Sequence, residues 1–250
     1  MKLRLDQLLV RRGLVESRER AQALIMAGQV DLEGRAVAKA GTMVSEHAEV
    51  RVIGPDHPWA SRGGVKLAHA LEVFGLDVAG RLALDIGAST GGFTDVLLTR
   101  GARKVVAVDV GHNQLHWKLR SDPRVVVVEG VNARHLTPAD LPDLEGGAEV
   151  ATVDVSFISL ALILPPLATL VTPGADVVAL VKPQFEAGRK DAPKGVVRDP
   201  AVHERVQAEV TAKAAAIGWT RVAATPSPIV GAKGNREFLM HFRLSASIDG

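Results

Sequence analysis

Two lysines and two carboxylates stand where an alternating pattern of apolar runs and helical stretches would bring them to one rim. Lys182 closes one β-branched run, Asp154 closes the run before it, and Glu237 opens the last run of the 250-residue chain. Lys66 falls in the first turn of a helix whose apolar face is Leu67, Ala70, Leu71 and Phe74. Lysines beside carboxylates can hold a hydroxyl in line with a positioned reactant and help it lose its proton. A salt-bridge network tying loops together would use the same residues, and on residue types alone the two readings stand level.

A second constellation lies at the first of these runs. Asp85-Ile86-Gly87-Ala88-Ser89-Thr90-Gly91-Gly92-Phe93 is a strand end followed by glycines that let backbone approach a ligand at a helix start. Asp109 ends the next run, where a carboxylate can take two ribose hydroxyls, so a nucleoside-containing cofactor is implied. The dinucleotide fingerprint does not fit, because Ser89 stands where its second glycine would be. Gly87-Ala88-Ser89-Thr90-Gly91 does match the nucleophile elbow, with His203 or His241 and Asp154 as partners in chain order. Against the elbow stand its place on the first strand, the lack of an oxyanion loop before it, and two carboxylates left without a role. An ordinary tight strand-to-helix turn is the plain alternative.

The elements that must position these groups divide into two sets. Leu5, Leu8 and Leu9 have helical spacing, Gly13 can end that helix, and a second runs from a Ser17 cap through Ala27 to Gly28. Val30–Leu32 and Arg35–Val37 flank Glu33-Gly34 as a hairpin, and 49–53 reads as one more strand. The first twenty residues carry six basic side chains against Asp6, Glu16 and Glu19, a modest basic face. After a turn-rich stretch, 54–58, five strands at 82–86, 105–109, 125–129, 150–154 and 177–182 alternate with helices at 93–100, 113–119 and 160–171. A helix at 201–217 and strands at 219–224 and 237–244 follow, the last expected to run antiparallel. This is the signature of an α/β doubly wound sheet, whose ligands bind outside the carboxyl ends of the strands.

Composition narrows the chemistry. The chain has 47% hydrophobic and 23% charged residues, as a soluble globular protein does. With no cysteine and no tyrosine, disulfides, thiolate zinc sites, thiol nucleophiles and phenolic acid–base chemistry are excluded. The formal net charge is only +2, so a polyanion footprint must be local. The eight histidines form no metal-ligand spacing, and no metal is expected. The uncharged stretch 155–175 is interrupted by Pro165-Pro166 and diluted by serines and threonines, so no membrane span is expected. No export signal follows Met1, which points to the cytoplasm.

The residues also resemble known families. Arg4-Leu5-Asp6-Gln7-Leu8-Leu9-Val10, Gly13-Leu14-Val15, Ser17-Arg18-Glu19-Arg20-Ala21 and 24–30 resemble the S-four-type RNA-binding domain, with Glu33 as a departure where the hairpin often has Asn. That domain docks on structured RNA mostly through phosphates, which the resemblance assigns to Arg4, Arg11, Arg18 and Arg20, joined by Arg62, Arg189 and Lys190 farther along. The glycine turn and Asp109 resemble the S-adenosylmethionine loop of class I methyltransferases. The resemblance implies that cofactor, with Asp85, Gly87, Ser89, Gly91, Gly92, Phe93, Asp109 and Asn132 around it.

In such enzymes carbon-5 methylation of pyrimidines needs a cysteine, absent here, and amine methylation an Asn/Asp-Pro-Pro-Tyr/Phe motif, where this chain has Asp154-Val155-Ser156-Phe157. A hydroxyl acceptor remains. Lys66, Asp154, Lys182 and Glu237 then fall where FtsJ-type ribose 2′-O-methyltransferases carry their Lys-Asp-Lys-Glu tetrad. Ser61–Leu67, Asp154–Leu160, Val181–Glu186 and Gly195–Asp199 look like TlyA-type proteins over essentially the whole chain. These are called hemolysins yet act on cytidines of ribosomal RNA.

The resemblance therefore implies a small α+β RNA-binding domain at 1–57, a linker at 58–63, and a Rossmann-like methyltransferase domain at 64–250. Its sheet would be mostly parallel and seven-stranded, with one antiparallel strand. The implied partners are ribosomal RNA and ribosomal subunits, without membrane or metal; oligomeric state is unreadable, a monomer being favoured. The stretch 184–199 reads either as a mobile loop over the RNA or as a merely solvated one. Trp59 reads first as a packing residue. A binding factor without catalysis and a membrane-active hemolysin are the rival classes; no strongly amphipathic basic helix supports the second.

Overall fold

The computed structural model describes residues 2–15, 17–26, 28–37, 39–52, 57–144 and 146–245, the side chains of residues 23 and 189 excepted. The expected turn at 54–56 lies outside them. The chain divides into two compact units, residues 1–58 and 59–250. Trp59 and Ala60, in the stretch expected as a linker, pack against the core of the second unit.

In the first unit, β1 (Lys2–Arg4) runs directly into α1 (Leu5–Arg11), whose Leu5, Leu8 and Leu9 are buried as their spacing requires. α2 (Arg18–Met26) begins where the Ser17 hydroxyl accepts the Arg20 N–H at 3.1 Å. Between β2 (Val30–Leu32) and β3 (Arg35–Ala36), Glu33 and Gly34 are both left-handed, at φ 54° and 82°, the turn whose twist suits a hairpin. β4 (Met43–Ser45) pairs antiparallel with β1, and β5 (Val50–Val52) with β2.

The second unit is built on seven strands. α3 (Gly63–Phe74), β6 (Leu82–Ile86), α4 (Gly92–Thr99), β7 (Lys104–Asp109), α5 (Trp117–Arg120) and β8 (Val125–Glu129) form its first half. β9 (Ala148–Val153), α6 (Leu164–Ala168), β10 (Val171–Val181), α7 (Pro183–Glu186), α8 (Gly188–Asp191), α9 (Pro200–Ala215), β11 (Trp219–Pro226) and β12 (Phe238–Leu244) complete it. The spatial order is β11-β12-β10-β9-β6-β7-β8, with β12 antiparallel to both neighbours and the other pairs parallel. One face is covered by α3 and α4 through Leu67, Leu71, Val96 and Leu97, the other by α6 and α9 through Leu164, Leu167, Val206 and Val210.

Two expected helices are shorter in the structure. The one expected at 113–119 starts only at Trp117: Asn113 is left-handed at φ 55°, and His116, with ψ 136°, is the non-helical N-cap whose side chain accepts the Lys118 N–H. The one expected at 160–171 is a 3₁₀ turn followed by α6, since Pro165-Pro166 is tolerated only in a first helical turn. Strand order reverses between β6 and β9, so the crevice outside their carboxyl ends is where a ligand site belongs.

Candidate active site

Gly87 follows β6 and Asp154 follows β9, so the strand reversal sets them side by side; the Asp154 N–H donates to Ile86 O at 2.9 Å. Gly87 is left-handed at φ 83°, and a Cβ there would strike the Asp154 carbonyl, so only glycine brings the two strand ends this close. Gly91, left-handed at φ 96°, caps α4 with no room for a side chain against Leu115 and Leu119.

Two cavities open at this rim. One, of about 530 Å³, is lined by Gly87, Ser89, Asp109, Gln114, Asn132 and Ile158 among others. The Asp109 carboxylate accepts Ser89 N–H at 2.8 Å and Gly111 N–H at 2.7 Å, one on each oxygen, which aims it and leaves each oxygen a further lone pair. Asn132 caps a 3₁₀ turn by accepting the Arg134 N–H at 3.0 Å, and it too lines this cavity. A backbone cradle, an aimed carboxylate at the end of the second strand and an apolar wall of Val110, Val131 and Ile163 fit a nucleoside carrying a ribose diol, as S-adenosylmethionine does.

The second cavity, of about 470 Å³, is lined by Arg62, Lys66, Gly92, Phe93, Lys182 and Glu237 among others. Gly87, Ser89, Asp154, Ser156 and Phe157 line both, so the two meet at the Asp154 turn. Lys182 Nζ is 2.5 Å from Asp154 Oδ1 and donates to Ser156 Oγ at 2.9 Å. Lys66 Nζ donates to Glu237 Oε2 at 2.5 Å, with Lys66 9% and Glu237 4% exposed. All four charges thus meet around one cavity, as two ion pairs. α3 brings Lys66 to the rim, β10 brings Lys182, and the antiparallel course of β12 puts Glu237 at the same end.

Asp85, expected at the cofactor, lines neither cavity. It is fully buried and accepts the Thr94 hydroxyl at 2.7 Å and the Thr152 hydroxyl at 2.8 Å, joining α4 to β9 from below. Burial pushes its carboxyl up to about 6, with the nearby Asp154 charge adding to that and the two threonine hydroxyls opposing it.

Of the arginines expected to meet RNA, Arg4 and Arg18 both pair with the buried Asp6, which also accepts the Gln22 side-chain N–H at 2.9 Å. The Arg4 hydrogen bond, ahead of a smaller opposing effect of burial, holds the Asp6 carboxyl well below the usual carboxylate range. Arg11 is exposed, 3.8 Å from Glu46, and Arg20 is exposed on α2. Arg62 lines the second cavity, Lys190 is exposed on α8, and the side chain of Arg189 lies outside the described parts. The stretch 184–199 is folded rather than open: Asn235 is buried, donates to Gly195 O at 2.9 Å and accepts Val197 N–H at 3.1 Å.

Sequence reasoning gave no role to Ser156, Phe157, Phe185 or Glu186. Phe157 is 90% exposed and left-handed at φ 64°, its ring centroid 4.9 Å from that of Phe185. Glu186 accepts the Ser159 hydroxyl at 2.6 Å and the Leu160 N–H at 2.8 Å, joining the Lys182 loop to the Asp154 loop. Their presence within the Asp154–Leu160 and Val181–Glu186 motifs was the signal available. Among the described residues, no group of three or more His, Asp or Glu side chains could hold a metal ion, and no helix is long and apolar enough to cross a membrane.

A mostly parallel seven-stranded sheet with one antiparallel strand, a glycine turn after the first strand and an acid after the second defines the methyltransferase class of α/β domain. The fold is shared with the N-methyltransferase NodS of Bradyrhizobium japonicum, at 14% identity and a TM-score of 0.51 over 76% of this chain and 99% of that one. The chain belongs to the FtsJ-like methyltransferase family, whose model matches residues 59–244, and to its TlyA-type members, with an S4 domain at residues 3–50. It is 48% identical over 242 residues to the 16S/23S rRNA (cytidine-2'-O)-methyltransferase TlyA of Mycobacterium tuberculosis, covering 96% of this chain and 89% of that one. It is 42% identical over 244 residues to Hemolysin A of Brachyspira hyodysenteriae, covering 96% and 99%. A solved structure of a Streptococcus thermophilus protein described as a hemolysin superposes with a TM-score of 0.78 at 48% identity, covering 98% of this chain and 90% of that one.

Proposed function

We propose that the protein methylates the ribose 2′-hydroxyl of a cytidine in ribosomal RNA, with S-adenosylmethionine as donor. The observation that carries this reading is the Lys182–Asp154 ion pair on the wall where the two cavities meet. Gly87, Asp109 and Asn132 hold the cofactor in the first cavity; the second receives the nucleotide. S-adenosylmethionine, when bound, supplies a sulfonium-activated methyl group.

An ammonium has three N–H donors. Lys182 gives one to Ser156 and stands 2.5 Å from Asp154 Oδ1 without a hydrogen bond to it, which leaves donors for the acceptor oxygen. A cation held there favours the oxygen as its proton leaves to water and points a lone pair toward the methyl carbon, whose bond to sulfur breaks as the C–O bond forms and the demethylated thioether departs. Asp154 holds Lys182 in place, and Glu237 does the same for Lys66 in the lining of the same cavity. The first unit docks the RNA through Arg4, Arg11, Arg18 and Arg20, and Arg62, Arg189 and Lys190 follow its backbone near the site. Ribosomal subunits are the substrate, and the protein works as a monomer in the cytoplasm.

The test is methyl transfer to unmodified small and large subunits, followed by digestion to nucleosides and mass analysis, beside Lys182→Ala. The expected product is 2′-O-methylcytidine, lost in the variant while S-adenosylmethionine affinity stays within a few-fold. No methyl gain by either subunit, with cofactor and RNA still bound, would instead favour a binding factor whose tetrad is structural.

A further inference from the structure

The loop after β7 contains an aromatic side chain that the reading above leaves unused. Residues 110–120, Val-Gly-His-Asn-Gln-Leu-His-Trp-Lys-Leu-Arg, contain no acid. Leu115 and Leu119 are buried and fill the space beside Gly91, and the His116 N–H donates to Thr90 O at 3.2 Å. The segment is therefore fastened to the cofactor turn itself. Val110 and Gln114 of the segment line the cofactor cavity, and Thr90, to which His116 is bonded, lines the tetrad cavity.

With the two leucines turned inward, Trp117 faces solvent and is 69% exposed, whereas Trp219 is buried and Trp59 half-buried. Its ring is stacked on that of His116, centroids 6.2 Å apart and planes at 28°. His116 is itself fixed, since its Nδ1 accepts the Lys118 N–H at 3.3 Å. Lys118 is exposed and has no ion-pair partner among the described residues, while Arg120 is held by Glu129. A pre-oriented aromatic plane next in sequence to an unpaired cation, with His112, Asn113 and Gln114 exposed on the same segment, suits a base and its phosphate. A protein partner would need a wider apolar face, and Val110 is the one other exposed large apolar side chain described on this segment.

We propose that Trp117 is a stacking platform for an unpaired base of the RNA flanking the methylated nucleotide, with Lys118 on the adjoining phosphate. The proposal rests on the RNA-methylating reading and adds a contact surface to it. Stacking on an aromatic plane tolerates any base, so the platform would add affinity without choosing the nucleotide.

The experiment is steady-state methyl transfer to unmodified ribosomal subunits by the full chain, Trp117→Ala and Trp117→Phe, with S-adenosylmethionine affinity from calorimetry and self-association from sedimentation. Trp117→Ala should raise KM for subunits fivefold or more with kcat and cofactor affinity unchanged, and Trp117→Phe should stay within twofold of the parent. An unchanged KM in Trp117→Ala overturns the proposal. So does an equal loss of cofactor affinity in both variants, which would mark a packing role, or a dimer broken by Trp117→Ala with KM unmoved. If the parent methylates neither subunit, the methyltransferase reading fails on its own; co-sedimentation of the parent and Trp117→Ala with subunits then decides the platform, a fivefold weaker variant supporting it and equal binding ending it.

Discussion

Glu186 receives the Ser159 hydroxyl at 2.6 Å, and through that contact the loop after β10 holds the loop after β9. The same carboxylate takes the Leu160 N–H, so two charge-assisted hydrogen bonds fix the spacing between Lys182 and Asp154 from outside the cavity. Neither lysine nor aspartate touches Glu186, which makes it a positioning residue. Glu186→Ala should lower kcat ten- to a hundredfold, as loss of about 1.5–3 kcal/mol of such bonding implies. Glu186→Gln, which can still accept the Leu160 N–H and exchange a hydrogen bond with Ser159, should recover most of the loss. A variant whose KM for RNA rises while kcat holds would contradict this role.

Lys66 and Glu237 form a buried pair, and removing one member leaves a charge without a partner. Glu237→Ala should therefore destabilise the protein by about 3–5 kcal/mol, whereas Lys66→Met with Glu237→Leu should restore much of that stability. Methyl transfer should be lost in both. Urea unfolding beside the transfer assay separates the outcomes: an active double variant would show that this pair only braces the fold.

Five strand regions were legible because buried parallel strands read as unbroken β-branched runs, and 82–86 and 125–129 coincide with β6 and β8. The meeting of Asp154, Lys182 and Glu237 with Lys66 at one rim was legible because topology places strand ends and the start of α3 there, and only the direction of β12 had to be inferred. Two short strands were not, although the similarly short β2 and β3 were, because Glu33-Gly34 marks their turn. β1 and β4, three residues each, have too few positions for a period to show. Asp85 was misplaced because a strand's penultimate residue points to one face or the other by register, and its Thr94 and Thr152 partners lie 9 and 67 positions away. Phe157 and Glu186 were in plain view as residue types, but an aromatic contact between two loops depends on loop geometry that no spacing rule supplies.

Asp85 gives the protein a pH signature of unusual sign. Its carboxyl is held at about 6 against an ordinary 3.8, so between those values the folded state binds the extra proton. Stability from this group is fully present at low pH, falls as pH rises toward 6 and is level above it. Asp85→Asn removes the titration, and the gap in unfolding free energy between variant and parent should move in the variant's favour by about 2 kcal/mol from pH 4 to pH 7. The comparison cancels Asp6 and Asp176, whose lowered values act in the opposite direction, losing stability as pH falls. Denaturant titrations at four pH values would show it, and a gap constant across that range would refute the burial argument.

Phe157 combines two features that the fold would discard if stability alone mattered. Its backbone is left-handed, which costs a bulky residue roughly 1–2 kcal/mol, and its ring is exposed at the junction of both cavities. Paired with Phe185, it presents an aromatic surface to whatever enters beside Lys182. Phe157→Gly frees the backbone, so the unfolding free energy should stay level or rise by up to about 1 kcal/mol. Transfer to ribosomal subunits should nevertheless fall at least tenfold, because the entering base loses its stacking partner. Phe157→Trp should keep most of the activity at the parent's stability. A glycine variant that is both stable and fully active would remove any role for this ring in holding the nucleotide.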